Sequence, residues 1–486
     1  MKKHLFIIIQ FIWLISLNCL AQSYRWVPVG AGLGLTGVGR CMAVYNNELY
    51  VGGDFVKMLN GPGNRIAKWD GTSWYEIAGF DKTVRTLAVY KGELYAGGEF
   101  TLAGTDTIYY IARWNGSTWK KLGPGLAKTT GKVYSLKVVD SILYVGGNQT
   151  RVNGTLYGNA IMKWNGTNWS DFSGNGVYGE YAEFVDGSVI AIDTVFSRFV
   201  VAGVFGSVGN GPFNVGNIAQ WGGVDTFGIP FSGTWYNIGS RLNNHFGIYG
   251  FSQSTSTVYA MKNYLGKLYI AGNCGLINSL RDTVGYLAAY NGIDLLKAGP
   301  GKFDNPANTL HVYNGLLYIG GDFMKTNGDT VNCVVTWDGS KWGNLDKGLK
   351  MSFTSGQVYA ITDYKGSIYA TGNFNANSRG TAMASIGRWT SITGNTEINQ
   401  YAVQVKIFPN PNKQLLNVEF ETSESKNISI ILFDANGRNI MQEKFSADTG
   451  NQTFQINTSP LVPGIYFLYI QDENHYSVSK QKLVIF

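Results

Sequence analysis

Short runs in which apolar and polar residues alternate recur along most of the chain, broken every few residues by glycine or asparagine. That pattern predicts short β-strands joined by tight turns. One run returns with little change: Leu49-Tyr50-Val51-Gly52-Gly53-Asp54-Phe55 is matched at Leu94 to Phe100, Leu143 to Gln149, Phe199 to Phe205, Leu268 to Cys274, Leu317 to Phe323 and Ile368 to Phe374. The second glycine falls at Gly53, Gly98, Gly147, Gly203, Gly272, Gly321 and Gly372, at intervals of 45, 49, 56, 69, 49 and 51 residues. Repeats of this length, each made of several short strands, predict propeller blades of four strands each.

Each unit opens with a short apolar alternation, as in Val84-Arg85-Thr86-Leu87 or Val358-Tyr359-Ala360-Ile361, expected to be the innermost strand. Asn46-Asn47, Lys91-Gly92, Asn314-Gly315 and Lys365-Gly366 then supply the residues that a primed hairpin turn requires. The glycine-rich run is the second strand, and its bare backbone suits close approach between neighbouring sheets. A third strand ends in tryptophan at Trp69, Trp114, Trp164, Trp221, Trp337 and Trp389, with Tyr290 in the fifth unit. A fourth strand begins at Trp74, Trp119, Trp169, Trp235 and Trp342. These tryptophans are expected to build the core rather than to stack on ligand, given the apolar area each buries. The seventh unit lacks a fourth-strand tryptophan, whereas Tyr24-Arg25-Trp26-Val27-Pro28-Val29-Gly30 reads as an orphan fourth strand. The expected fold is therefore all-β: a seven-bladed β-propeller closed by the N-terminal strand, followed by a small C-terminal β-sandwich.

Composition agrees, with 63 Gly, 29 Tyr, 26 Phe and 13 Trp beside only 15% charged residues. The net charge of +7 contains no basic block, which argues against a nucleic-acid partner. Lys2 and Lys3 precede an apolar run from Leu5 to Leu17, and the small or polar residues Cys19-Leu20-Ala21-Gln22 follow. This is the pattern of a signal peptide over residues 1–21, cleaved between Ala21 and Gln22. Bulky Asn18 argues against lipid attachment at Cys19. No later run reaches the roughly 20 apolar residues of a membrane-spanning helix. Beyond the leader only Cys41, Cys274 and Cys333, and His245, His311 and His475, remain. These residues form no disulfide framework or zinc spacing, so no metal or other cofactor is expected.

Through its recurring Gly-Gly and Trp slots over residues 24–392, the chain resembles Kelch-like and galactose-oxidase-type propeller repeat proteins of bacteria. The resemblance is architectural, because the His and Cys residues here do not form galactose oxidase's copper arrangement. After a polar linker at 393–401, tryptophan disappears and new alternations start at Leu415 to Phe420, Ile428 to Phe433, Phe454 to Ile456, Ile465 to Ile470 and Lys482 to Phe486. The ordered landmarks Phe408-Pro409-Asn410-Pro411, Leu432 to Arg438 around Gly437, Leu461-Val462-Pro463-Gly464-Ile465-Tyr466 and Lys482-Leu483-Val484 closely resemble the type A sorting domain of the Bacteroidetes type IX secretion system. That resemblance implies a domain over 402–486 that engages the type IX secretion machinery. It further implies a protein released from the cell or attached to its outer surface.

Ligand contacts are sought in loops, where a rigid scaffold places recognition. The two long intervals reflect extra sequence at 172–187 and 222–257, carrying Tyr178, Tyr181, Phe184, His245, Phe246, Tyr249 and Phe251. These aromatics can stack on sugars or anchor a protein, or fold over their own blades. Asp54, Glu99, Asn148, Asn273, Asp322 and Asn373 follow the second glycine in six repeats, where turn capping explains them better than a calcium ring. Asp-Ser/Thr-apolar triplets at Asp106, Asp140, Asp193, Asp282 and Asp329 resemble Bacteroidetes O-glycosylation acceptors, although hairpin turns also produce them. No nucleophile elbow, phosphate loop or paired-carboxylate motif appears, so a binding or adhesion module is expected, with a glycan-active hydrolase or lyase as the alternative.

Overall fold

The structure, a computed structural model, describes residues 23–33, 37–56, 64–127, 131–148, 151–152, 156–157, 160–170, 187–195, 198–205, 217–224, 230–237, 257–277, 283–292, 295–351, 356–392, 406–422, 426–434, 439–472 and 477–486. Every regular element among them is a β-strand. Seven four-stranded antiparallel sheets follow one another in chain order. The first is built from Gly39–Tyr45, Glu48–Gly53, Ile66–Trp69 and Trp74–Glu76. The next six open with Val84–Tyr90, Val133–Val139, Gly187–Val195, Thr257–Tyr264, Ala307–Tyr313 and Gln357–Tyr364.

The outermost strand of the seventh sheet is Ser23–Pro28, which pairs antiparallel with Ile386–Ile392 and sets Trp26 opposite Trp389. The same register recurs as Trp69 with Trp74, Trp114 with Trp119, Trp164 with Trp169, Trp221 with Trp235 and Trp337 with Trp342. In the fifth sheet Tyr290 faces Leu295. All twelve tryptophans beyond residue 13 thus form six cross-strand pairs, with ring centroids 4.5 Å apart at Trp337–Trp342 and 5.6 Å apart at Trp26–Trp389. Such pairs add to the apolar burial that holds the outer half of each sheet.

Neighbouring sheets are joined by repeated contacts. The fourth-strand indole donates to a backbone carbonyl of the preceding sheet's outer edge: Trp119 Nε1 to Ala78 O at 2.6 Å, Trp169 Nε1 to Leu122 O at 2.8 Å, and Trp342 Nε1 to Pro300 O at 2.9 Å. Near the hairpins, the Tyr90 hydroxyl donates to Ser141 O and Lys91 Nζ to Asn165 O. The same contacts link the seventh sheet to the first, with Trp74 Nε1 on Val29 O, the Tyr364 hydroxyl on Asn47 O and Lys365 Nζ on Asp70 O. The first strand of each sheet packs on the first strand of the next, and Gln357–Tyr364 packs on Gly39–Tyr45.

The glycine pair has two separate jobs. A Cβ on Gly97 would lie 2.4 Å from Val133 of the next sheet, and one on Gly320 would lie 2.5 Å from Val358. Between the seventh and first sheets the sizes are exchanged: Thr371 takes the glycine's place and Gly39 takes the valine's. A Cβ on the second glycine would strike a backbone carbonyl, that of Val38 at 2.1 Å for Gly53 and that of Gln357 at 2.0 Å for Gly372. The hairpins have the expected positive φ, as at Asn46 (47°), Lys91 (46°), Asn314 (46°) and Lys365 (45°).

Residues 406–486 form two further sheets. One orders Lys406–Phe408, Leu415–Thr422 and Gly450–Asn457, and the other orders Asn439–Ala447, Lys426–Asp434, Gly464–Asp472 and Ser477–Ile485. Leu416, Val418, Phe420 and Ile456 from the first share one buried core with Ile430, Leu432, Leu468 and Leu483 from the second. The strands at 406–408 and 439–447 were not apparent as alternations in the sequence.

Candidate functional site

The innermost strand of all seven sheets breaks register at one and the same place. The shifts fall between Gly39 and Cys41, Val84 and Thr86, Val133 and Ser135, Val189 and Ala191, Val258 and Ala260, Ala307 and Thr309, and Val358 and Ala360. A β-bulge leaves one residue outside the ladder and re-aims its side chain. Here those residues are Arg40, Arg85, Tyr134, Ile190, Tyr259, Asn308 and Tyr359. Each bulge sits against the second glycine, whose missing side chain admits the bent strand. The polar residue after that glycine lies beside the bulge, and its backbone N–H bonds the carbonyl just ahead of the inner strand, as Asp54 does to Val38 at 2.8 Å.

Side chains link these groups within and between sheets. Arg40 Nε donates to Asp54 Oδ2 at 2.6 Å, and its guanidinium lies over the Tyr359 ring at 5.0 Å. Arg85 Nε donates to Glu99 Oε1 at 2.5 Å, Lys132 adds an ion pair to Glu99 at 3.3 Å, and Arg85 lies over Tyr134 at 5.4 Å. Asp322 accepts from Asn308 at 2.7 Å and from Gln357 at 2.9 Å, and Gln357 accepts from the Tyr359 hydroxyl at 2.5 Å. Burial alone would raise the carboxyl pKa values, but bonds from Arg40 and Thr83 hold Asp54 below its ordinary range and Arg85 with Lys132 does the same for Glu99. The region is therefore a set of half-buried Arg, Tyr and amide groups held by the carboxylates of Asp54, Glu99 and Asp322.

Of the polar residues after the second glycine, Asp54, Glu99 and Asp322 pair with bulge side chains rather than capping their own turns. Asn148 is closest to a cap, accepting from Lys132 N at 2.6 Å. Among the described residues no group of three His, Cys, Asp or Glu is placed to hold a metal. The aromatics expected to bind ligand, Tyr178, Tyr181, Phe184, His245, Phe246, Tyr249 and Phe251, lie outside the described residues, as do Ala21, Gln22, Asp282 and Gly437. Of the acceptor triplets, Asp106-Thr107 and Asp329-Thr330 are exposed. Asp140-Ser141 is a hairpin turn, and Asp193 is buried in an inner strand and paired with Lys137.

In the C-terminal region the structure brings two sequence landmarks together. Asn410 Oδ1 accepts from Val484 N at 3.0 Å, Asn412 N donates to Val484 O at 2.8 Å, and Phe486 N donates to Asn412 O at 3.0 Å. The Pro409-Asn410-Pro411 segment is thereby laid on the last strand, which contains Lys482. The Tyr466 hydroxyl turns back to Val462 O at 2.9 Å, closing the loop that carries Gly464. Residues 406–486 match the family of secretion system C-terminal sorting domains. This protein is exported by type IX secretion, to the cell surface or the extracellular space. Its partners include the type IX secretion machinery, and no helix among the described residues is long and apolar enough to cross a membrane.

No curated protein matches the chain. Among solved structures, a copper-bound fungal alcohol oxidase of the AA5 family shares 11% identity over 95% of this chain and 99% of its own, with a TM-score of 0.34. Dimeric latent PorU from Porphyromonas gingivalis shares 10% identity over 73% of this chain and 34% of its own, with a TM-score of 0.16. A glycoside hydrolase shares 10% identity over 88% of this chain and 93% of its own, with a TM-score of 0.23. At these scores the likenesses carry no argument about fold or activity.

Proposed function

We propose that the seven sheets are the blades of a β-propeller closed by strand Ser23–Pro28, and that this propeller is a ligand-binding or adhesion module delivered outside the cell. Residues 22–392 form the propeller, 393–401 the linker and 402–486 a sorting β-sandwich. In that sandwich Pro409, Asn410, Pro411, Gly437, Gly464, Tyr466 and Lys482 carry the address, and the leader is removed after Ala21. The closed ring is supported by the identical Trp, Tyr and Lys contacts at the junction of the seventh and first sheets.

The observation that carries the binding reading is the bulge repeated at one register in all seven sheets. It gathers arginines, tyrosines and an asparagine around one end of the inner strands. Arginine, tyrosine and ionised carboxylates together offer stacking faces, donors and acceptors, which match a carbohydrate's hydroxyls and apolar ring faces. A glycan is therefore the favoured ligand, with a protein partner as the competing outcome. Asp54 and Glu99 are held ionised, which suits accepting hydrogen bonds and disfavours service as a general acid. A glycan array run beside a polysaccharide hydrolysis assay tests the reading. Binding without depolymerisation is expected, and Arg85→Met and Tyr359→Ala should each weaken it about tenfold. Depolymerised product would replace binding with catalysis.

A further inference from the structure

Three residues beyond each bulge, about 10 Å nearer the hairpins at strand rise, a second set of side chains shares one register. In the first, second, third, fifth, sixth and seventh sheets it lies opposite the tyrosine of the second strand, and in the fourth it lies opposite Val200. The residues are Ala43, Ala88, Lys137, Asp193, Lys262, His311 and Thr362. Sheets three to six therefore place four ionisable groups in succession, whereas sheets one and two place only alanine. Lys137 pairs with Asp193 at 2.9 Å, and His311 Nε2 lies 2.9 Å from Asp363 Oδ1 of the seventh sheet.

Lys262 sits between these pairs and has no hydrogen-bond or ion-pair partner among the described residues. Both carboxylates within its electrostatic reach, Asp193 and Asp363, are already engaged. Burial lowers its pKa, and the Lys137 charge adds to that; burial likewise lowers His311, against the pull of Asp363. A half-buried ammonium beside a second cation, with its nearby carboxylates already paired to Lys137 and His311, is costly to maintain. The cost falls when an anion enters.

We infer that Lys262, next to His311 on one side and to the Lys137–Asp193 pair on the other, forms a binding site for a singly or doubly charged oxyanion, a carboxylate or a sulfate group. Room for the body that carries the oxyanion rests on the closed ring proposed above, in which sheets one and two lie across from the fifth and their alanines, Ala43 and Ala88, leave space. The site is separate from the bulge residues and stands whatever those residues bind.

The test uses the secreted protein with its lysines reductively methylated with carbon-13, titrated by NMR with sodium glucuronate, sodium sulfate and neutral glucose. Glucuronate or sulfate should move the Lys262 resonance and raise the pH at which it titrates, while glucose should do neither. Lys262→Met should weaken anion binding about tenfold or more, as expected for loss of one charge-assisted hydrogen bond. Preference for glucuronate identifies a uronate-bearing ligand and preference for sulfate a sulfated one, and either supports the site. If Lys262→Met does not fold, by tryptophan fluorescence, His311→Asn read at the Lys262 resonance replaces it, with weaker anion binding expected. Anions that shift other lysines but leave Lys262 unmoved, or that bind both variants as well as the parent, overturn the inference.

Discussion

The repeat region and the C-terminal region are both antiparallel β, yet they solve the burial problem in opposite ways. In the repeat region each sheet is covered on both faces by another copy of itself, so contacts of one kind recur from junction to junction: glycine under valine, indole on carbonyl, tyrosine on hairpin. Residues 406–486 have no repeated partner. Their two sheets bury one face each against the other around Phe420, Ile430, Leu468 and Leu483, and contain no tryptophan. Repetition leaves one end of the inner strands free to vary without cost to the core, whereas the single core of the C-terminal region binds its landmarks into the packing. The first arrangement suits recognition, and the second suits a fixed address.

The largest effect separates the two roles outright. Removing residues 406–486 should abolish appearance on the surface and in the medium of a Bacteroidetes host with type IX secretion. The shortened chain should remain in the cell with the repeat region's unfolding transition unchanged, as immunoblots of cell fractions and thermal unfolding of the purified chain will read. Secretion of the truncated chain would break the division of labour.

Next comes Trp26→Ala, which empties a fully buried site in the strand that completes the seventh sheet. A cost of about 3–5 kcal/mol is expected, the usual range for removing a buried tryptophan. Phe420→Ala, also buried, should cost a similar amount in the C-terminal region alone. Denaturant unfolding followed by tryptophan fluorescence should register the first and not the second, since all the tryptophan lies outside residues 406–486. A smaller change is expected from Gly372→Ala, whose new Cβ would strike the Gln357 carbonyl, at about 1–3 kcal/mol. Gly366→Ala, where φ is +75° but nothing lies within 4 Å, should cost about 1 kcal/mol. Equal losses at the two glycines would mean that the inner bulge can relax.

These contrasts also explain what the sequence made legible. The glycine and tryptophan slots stood out because each position admits few residues: a side chain at Gly97 collides with Val133, and only an indole spans from Trp119 to the Ala78 carbonyl. The bulge residues were missed because Arg, Tyr, Ile and Asn all serve there. Their signal was nonetheless present, since Val84 to Leu87, Val133 to Leu136 and Val358 to Ile361 space apolar residues by three where a regular strand spaces them by two. Reading those runs as simple alternation hid the extra residue. The charged register of Lys137, Asp193, Lys262 and His311 could not be seen until strand pairing aligned the four sheets. Asn410 and Val484, 74 residues apart, meet only through the fold.

The smallest effect expected is a difference in acid sensitivity between the regions. Asp54 and Glu99 have folded pKa values below their unfolded ones, so each contributes stability above the unfolded value, near pH 4. That contribution is lost as pH falls through the lowered folded values. His311 acts in the same direction by another route: its pKa is lowered by burial, so below about pH 6.5 the unfolded chain takes up a proton that the folded chain resists. Acid should therefore weaken the repeat region first between about pH 6.5 and the folded His311 value, and again below about pH 4. Arg40→Met with Arg85→Met should flatten the lower step, and His311→Asn the upper one. The changes are modest because the Asp54 and Glu99 side chains keep 28% and 22% of their exposure and water screens their pairs. A pH profile of unfolding midpoints that is flat for the repeat region would show that these pairs position side chains without holding the sheets together.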